Sequence, residues 1–457
     1  MAAGRSWPHK NNPGDVEARR DVLRGLPGWT PDDDFIFQWP VDPAPFLAMQ
    51  ECTVGYVALP VAVVGPLPVE LGEYEIDRDG DLLEVGRQTD QVYVPLAHTE
   101  GSLSMSVLRG ANAARPRGIR TYLLADGITR DCCFVFQDSA QAVALSRWLH
   151  GRTEEMRAWL QHPENAFRQE GGSRVAPISR HAQLRRVDTF VLGAMCHVLL
   201  RFTTGDACGP NMITRNAYAL CHGFVAERFT AETGITPTRF VLEANMGGDK
   251  KPSFQYFHEG HGKSVLAEAV IDAPTLSRVL RVQPSDIVDL QAVGLHGSHA
   301  SGMPSFSFTP ASAIAAIFAA TGQDLGMIGT SSMAHGTVQA VEVDGLPALH
   351  FSIRLPGIEV GTIGGGTHLP HARAFLRMLG CDGSGHVHRF AQVVAATVLC
   401  LEISAGAAMA TSGSRNFYQA HLERGGLRLQ QAESALSGTA APPPVASRRS
   451  RERRAKV

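Results

Sequence analysis

The chain has 457 residues, 44% hydrophobic and 19% charged, which is enough apolar material for a large core and more than one domain. A formal net charge of -2 gives no case for wholesale nucleic-acid binding. Eight cysteines without a CxxC pair form neither a disulfide scaffold nor a zinc or redox motif, so no metal is expected and a reducing cytoplasm is the natural compartment.

Trp7, Pro8, Lys10 and Asn11 leave no apolar signal-peptide core, and a short helix is expected over 15–26. Phe35, Phe37 and Trp39 supply anchors, and 43–51 fits another helical turn. Residues 55–60 and 61–66 read as short or edge strands, because Pro60 and Pro66 cannot donate to a ladder. Residues 72–92 alternate as hairpins do, and a helix is expected from Ser102 to about Ala114. Residues 117–129 read as a strand and turn, with Asp126-Gly127 the turn signal and Arg130 at its exit. The stripe Phe136, Ala140, Val143, Leu145, Trp148 and Leu149 predicts a helix over 134–151. A compact α+β unit is expected over 165–240, with a strand at 187–202, a turn at 205–209 and a helix at 211–230.

Beyond it, 264–270 reads as a strand, 273–279 as a helix and 286–297 as an apolar strand. Thr309-Pro310 is a helix start, with threonine as cap and proline at the first position, and the apolar run to Thr321 predicts burial. Strands are expected at 340–343 and 348–355, and helices at 368–379 and 386–411. The most apolar run, 392–401, is too short to cross a bilayer before it meets Glu402, so a soluble protein is expected. Residues 434–457, with three consecutive prolines and then five arginines, read as a disordered tail.

Chemistry concentrates in Asn245-Met246-Gly247-Gly248-Asp249-Lys250-Lys251-Pro252. Two adjacent ammonium groups repel unless an anion compensates them, and the proline biases Lys251 towards extended backbone, where neighbouring side chains diverge. Glu100 lies near a helix N-terminus, which stabilises its anion. Asp324 follows a very apolar helix, where a charge is costly unless paired, and Lys250 is the natural partner. Glu100, Lys250 and Asp324 thus form a plausible proton-handling set. No strand–GxGxxG–helix unit appears, and Gly364-Gly365-Gly366 has no adjoining lysine. The better phosphate candidate is 205–212, where Gly205, Gly209 and Pro210 bracket a turn feeding a helix, with Arg180, Arg185 and Arg186 upstream.

Together these stretches resemble the soluble catalytic portion of the 3-hydroxy-3-methylglutaryl-coenzyme A (HMG-CoA) reductase family over about residues 51–421. The resemblance is carried by Gly55-Tyr56-Val57, Val64-Gly65-Pro66, His98-Thr99-Glu100-Gly101 and Leu124-Ala125-Asp126-Gly127-Ile128-Thr129-Arg130. It continues through Thr204-Gly205-Asp206-Ala207 with Asn211-Met212, Asp249-Lys250-Lys251-Pro252, Gly322-Gln323-Asp324 and Gly361-Thr362-Ile363-Gly364-Gly365-Gly366-Thr367. The Asp-Lys-Lys-Pro motif favours the eukaryotic and archaeal branch.

The resemblance implies an α/β fold: a large mixed domain over 51–130 and 241–425, interrupted by a small ferredoxin-like cofactor-binding domain at 131–240. A mostly helical segment over 1–50 and a basic tail over 426–457 flank it. It implies two-hydride, NADPH-dependent reduction of a thioester to an alcohol and free CoA, in a cytoplasmic homodimer whose site lies at the subunit interface. Lys250 would stabilise the oxyanion, Glu100 donate a proton, Asp324 tune both, and His421 protonate the leaving thiolate. Arg130, Asn245, Asp249 and Lys251 would hold the acyl-CoA substrate. Arg180, Gly205, Asp206, Asn211 and Met212 would hold the cofactor, Arg180 at the 2′-phosphate. The chain departs from the family pattern at Cys52, Gly209-Pro210, Glu243, Thr309-Pro310-Ala311-Ser312 and Ala420, where family members carry serine before the histidine. Glu243, an acid beside a pocket for an anionic acyl group, is unexpected there unless it points away. Two alternatives stay open: a divergent homologue reducing a related acyl-CoA, and a catalytically silent nucleotide-binding homologue.

Overall fold

The computed structural model describes residues 7–77, 79–162, 178–411 and 414–422, and the backbone at 169–170 and 173–174. The basic tail lies outside the described residues. The fold is mixed α/β. Its strands are β1 Val61–Ile76, β2 Leu82–Ala97, β3 Ile119–Val135, β4 Gln169–Glu170, β5 Ser173–Arg174, β6 Gln183–Leu192, β7 Met195–Thr203, β8 Arg239–Val241, β9 Gly262–Asp272, β10 His335–Val343 and β11 Leu346–Ile358. The main order is β10-β11-β9-β3-β1-β2, while β7, paired with β6, and β8 attach to β3.

Strand β3 connects these two sets. Its first half pairs parallel to β1 at Val69↔Ile119 and antiparallel to β9 from Arg120↔Glu268 to Gly127↔Gly262. Its second half pairs with β7 from Ile128↔Phe202 onward and with β8 at Cys133↔Val241. Asp126-Gly127 is therefore not a turn but the place where the strand changes partners. Pairing on both flanks overrides the local turn preference, and the Asp126 charge is met internally by Lys263 and His388.

Two hydrophobic clusters flank that point. One joins β1–β3, β9 and β11 to the helices Leu103–Ala114, Pro310–Thr321 and Val387–Ala410. The other joins β3, β6 and β7 to Ser139–Leu149, Thr153–Gln161 and Pro210–Leu220. The second set runs strand, helices, strand, strand, helix, strand along the chain, with order β6-β7-β3-β8.

Val387–Ala410 is long and apolar enough to cross a membrane by length and composition, although Arg389 and Glu402 leave it no charge-free run of that length. Most of its apolar window is buried inside the fold, as in a core helix. It runs close to Leu103–Ala114, where a Cβ added at Gly110 would lie 1.9 Å from the Cys400 carbonyl oxygen.

Several other expectations need correction. Residues 61–66 are not a short strand: β1 runs 16 residues, and a register shift between Val64 and Leu67 takes Pro66 out of the ladder. Residues 55–60 form no strand. The helix expected over 134–151 starts only at Ser139, with the Asp138 carboxylate accepting from Gln141 N, because β3 continues to Val135. The strand expected over 187–202 is the hairpin β6–β7, turned at Gly193-Ala194 with Gly193 at φ +58°. Residues 286–297 belong to the helix Pro284–Ala300, whose proline start and Gln283/Asp286 capping box outweigh the apolar run. Thr309 does not cap Pro310–Thr321 with its side chain; its N–H and hydroxyl both donate to Glu402.

Candidate active site

The lysine turn lies between β8 and the helix Gln255–Glu259. Asn245, Gly248 and Lys250 all have positive φ (75°, 74° and 61°). The turn is pinned from below: Met246 N donates to Asp131 Oδ2 at 2.8 Å, and the Tyr256 hydroxyl donates to Gly248 O. Lys250 Nζ sits 2.9 Å from Asp324 Oδ2, with both side chains about half exposed. Asp324 follows the αL cap Gly322, and its Oδ1 accepts from Gly326 N at 2.8 Å. The Asp324 carboxylate holds the Lys250 ammonium above its ordinary range. Burial pushes the Asp324 carboxyl up, but Lys250 and the Gly326 N–H outweigh it and hold it below its ordinary value. The pair is a fixed, charged cation with one face open to solvent.

Arg130, 5% exposed, lies behind the turn. One arm of its guanidinium donates to the Glu243 carboxylate and the other to Asp249 Oδ2 at 3.3 Å. Glu243 therefore points in, because the buried guanidinium on β3 is the strongest partner within its reach. Asn245 and Lys251 are exposed; Asn245 N donates to Glu243 Oε1, and Lys251 Nζ donates to Asp249 O at 2.9 Å.

Sequence reasoning missed a second layer. Asp249, His261 and Glu359 bring ligand-type atoms within 4.8 Å of one another, the one such group found among the described residues. His261 Nε2 is 3.8 Å from Glu359 Oε2, and its ring stacks on Tyr256. Burial, then the charges of Arg201 and Arg130, push the His261 imidazole down to about 3, so it is neutral. Those guanidinium fields also oppose a divalent cation at this spot. Burial and then the Asp249 charge push the Glu359 carboxyl up to about 8. The available signal was a single carboxylate in the apolar run Ile358-Glu359-Val360.

Glu359 has a consequence for stability. An unfolded glutamate ionises near 4.5, whereas the folded one keeps its proton to about 8, so between those values the unfolded chain binds fewer protons. Stability is fullest below 4.5 and falls as pH rises, by at most ~1.4 kcal/mol per pH unit from this group. Glu359→Gln should flatten that slope in denaturant titrations from pH 5 to pH 8. An unchanged slope would count against a buried neutral carboxyl here.

The phosphate-candidate turn joins β7 to the helix Pro210–Leu220, whose N-cap Gly209 (φ 100°) provides no side-chain cap. Gly205, at φ +58°, faces open space. Asp206 Oδ2 accepts from Ser384 Oγ and Gly385 N, both at 2.8 Å, and its Oδ1 from Val387 N at 3.3 Å, at the start of Val387–Ala410. Burial raises its carboxyl, but these donors prevail and hold it below its ordinary range. Asp206 O also accepts from Thr362 N and Ile363 N. Asp206 thus spends its polar atoms holding the turn in place. Underneath, the buried Lys263 Nζ lies 3.3 Å from Asp126 Oδ1 and 3.4 Å from Gly205 O, and His388 Nε2 lies 2.9 Å from Asp126 Oδ2. Asn211 is exposed and Met212 half-buried beyond the turn, and Arg180 is exposed.

Glu100 is exposed in the irregular link between β2 and Leu103–Ala114. His421 lies on the exposed helix Arg415–Leu422, its Nδ1 2.9 Å from Phe417 O and its ring against Phe417. The structure thus joins Lys250 to Asp324, and Arg130 to Asp249. His421 packs against Phe417 of its own helix.

A framed, half-exposed cation and a helix start without a side-chain cap thus lie on one mixed α/β scaffold. Solved structures agree on the fold, including the class II HMG-CoA reductase from Streptococcus pneumoniae bound to NADPH, at 16% identity with TM-score 0.58, covering 86% of this chain and 96% of that one. The profile described as hydroxymethylglutaryl-coenzyme A reductase matches residues 15–425. The HMG-CoA reductase of Aeropyrum pernix is 34% identical over 386 residues, 83% of this chain and 82% of that protein. That of Phycomyces blakesleeanus is 33% identical over 399 residues, 85% of this chain and 30% of that protein. The chain belongs to the hydroxymethylglutaryl-coenzyme A reductase family.

Proposed function

We propose that the chain reduces the thioester of HMG-CoA to mevalonate and free CoA, with NADPH as reductant. The observation that carries this reading is the Lys250–Asp324 pair on the Asp-Lys-Lys-Pro turn, a rigid cation with an open face. A carbonyl oxygen gains negative charge when hydride reaches its carbon, and a fixed ammonium stabilises that charge without reorganisation. Asp324 orients Lys250 and keeps it protonated, so the cation is present through both reductions. Glu100 supplies the proton to the carbonyl oxygen, and His421 the proton that stops the released thiolate from re-adding to the aldehyde. Arg130, Asp249, Asn245 and Lys251 hold the acyl end. In this reading residues 131–240 form the ferredoxin-like domain, consistent with the order β6-β7-β3-β8, and two subunits build each site between them.

The 205–212 turn fits a dinucleotide: Gly205 leaves open space, and the helix start has no side-chain cap competing for its N–H groups. When bound, NADPH supplies the hydride. Gly205 gives backbone access, Asp206 fixes the turn, Asn211 and Met212 line its exit, and Arg180 meets the 2′-phosphate. NADPH consumption with HMG-CoA, with the product identified by mass spectrometry, tests the reading. The expected result is mevalonate and free CoA with two NADPH oxidised per thioester, and better efficiency with NADPH than with NADH. A folded protein that binds NADPH and leaves HMG-CoA intact would overturn it and favour a related acyl-CoA.

A further inference from the structure

One feature at the acyl end is not explained by holding a substrate. Arg130 carries two carboxylates, Glu243 on one arm and Asp249 on the other, before any ligand arrives. A guanidinium is a good seat for a terminal carboxylate because its planar fork offers two parallel donors. Here both arms are already engaged by the protein's own acids. The two other cations of the turn are also committed, Lys250 to Asp324 and Lys251 to the Asp249 carbonyl. A ligand carboxylate approaching this end meets a guanidinium whose charge is more than balanced.

The two acids differ in freedom. Asp249 is short, its side chain is 19% exposed, and it sits inside the pinned turn, with Oδ1 buried. Glu243 is longer, 37% exposed, and lies between β8 and the turn, reaching Arg130 from the solvent side. Its remaining tie is Oε1 accepting from Asn245 N at 3.0 Å. Of the two, Glu243 is the one that rotamer change alone returns to water.

We propose that Glu243 is a tethered competitor for the substrate's terminal carboxylate: it occupies Arg130 in the free protein and swings out when a carboxylate-bearing acyl group binds. The inference rests on the reading of Arg130 as the acyl-end anchor and names the residue that sets selectivity there. Displacing Glu243 takes binding energy from every acidic acyl chain and none from an acyl chain ending in a methyl group. Glu243 is thus a specificity residue that narrows the gap between acidic and neutral acyl-CoAs.

The test is equilibrium binding of HMG-CoA and of butyryl-CoA, which ends in a methyl group, to full-length wild type, Glu243→Gln and Glu243→Ser. Glutamine keeps a hydrogen-bond acceptor for Arg130 and removes the charge; serine removes the reach as well. Both variants should bind HMG-CoA about tenfold more tightly, with butyryl-CoA unchanged within about twofold. In turnover the same change should appear as a lower KM for HMG-CoA at constant kcat. Unchanged or weaker HMG-CoA binding in both variants, or equal tightening for the two ligands, would overturn the proposal. Binding is read without turnover, so a wild type that binds but does not reduce HMG-CoA defeats the proposed reaction and leaves the role of Glu243 still decided by the affinities.

Discussion

Lys250→Ala should lower kcat with HMG-CoA by about 10²–10³-fold, the usual cost of deleting one preorganised oxyanion donor. The side chain contributes little to the core: it is half exposed, and its partner Asp324 keeps the Gly326 N–H when the ammonium is gone. Thermal stability and the oligomer should therefore stay near wild type, so the loss reads as chemistry. Lys250→Arg is a sharper control, since a Cβ at Gly326 would already lie 2.9 Å from Lys250 Nζ and the pocket is fitted to a narrow head group. Arginine should restore charge but not position, leaving kcat far below wild type. Steady-state kinetics on both variants check this, and wild-type turnover in Lys250→Ala would remove the lysine from the mechanism.

Gly110→Ala should cost about 3 kcal/mol or more of stability, with the active-site turn untouched. Its Cβ would meet the Cys400 carbonyl oxygen at 1.9 Å, and that oxygen belongs to a buried helix backbone that cannot rotate aside. The two helices would have to separate, and both are lined with buried residues, Val107 and Ala111 on one and Ala396 and Ile403 on the other, that would have to repack. Calorimetry or a denaturant titration measures the effect; a midpoint equal to wild type would show that the helices have slack.

Much of this was legible in sequence because the deciding signals are local. The buried helix Pro310–Thr321 announces itself by composition and by proline at its start, and the Lys250–Asp324 pair by the cost of an unpaired charge beside that helix. What was missed depends on distant partners. Asp126-Gly127 has the chemistry of a turn, and only pairing with β9 on one side and β7 on the other keeps it extended. Pro284–Ala300 reads as a strand because Asp289, Gln291 and Gly294 break its apolar residues into short steps that fit alternation as well as a helix, and the capping box decides. Glu359 and His261 sit 98 positions apart in the chain and become one cluster only through β9 and β11. The direction of Glu243 could not be read because the sequence gives no hint that Arg130 is buried within reach.

The partnership of β3 with β8 has a bearing on how such a chain tolerates change. Arg130 and Glu243 are 113 positions apart, yet antiparallel pairing at Cys133↔Val241 and the bond from Ala244 N to Asp131 O bring them face to face. Everything between them leaves and returns at one spot, like a parenthesis in a sentence. Its surface away from the 205–212 turn is free to lengthen or shorten, provided the two closing strands keep their register and Asp206 keeps its ties to 362–363 and 384–387. The Arg130–Glu243 pair is written on the brackets, not on the text they enclose.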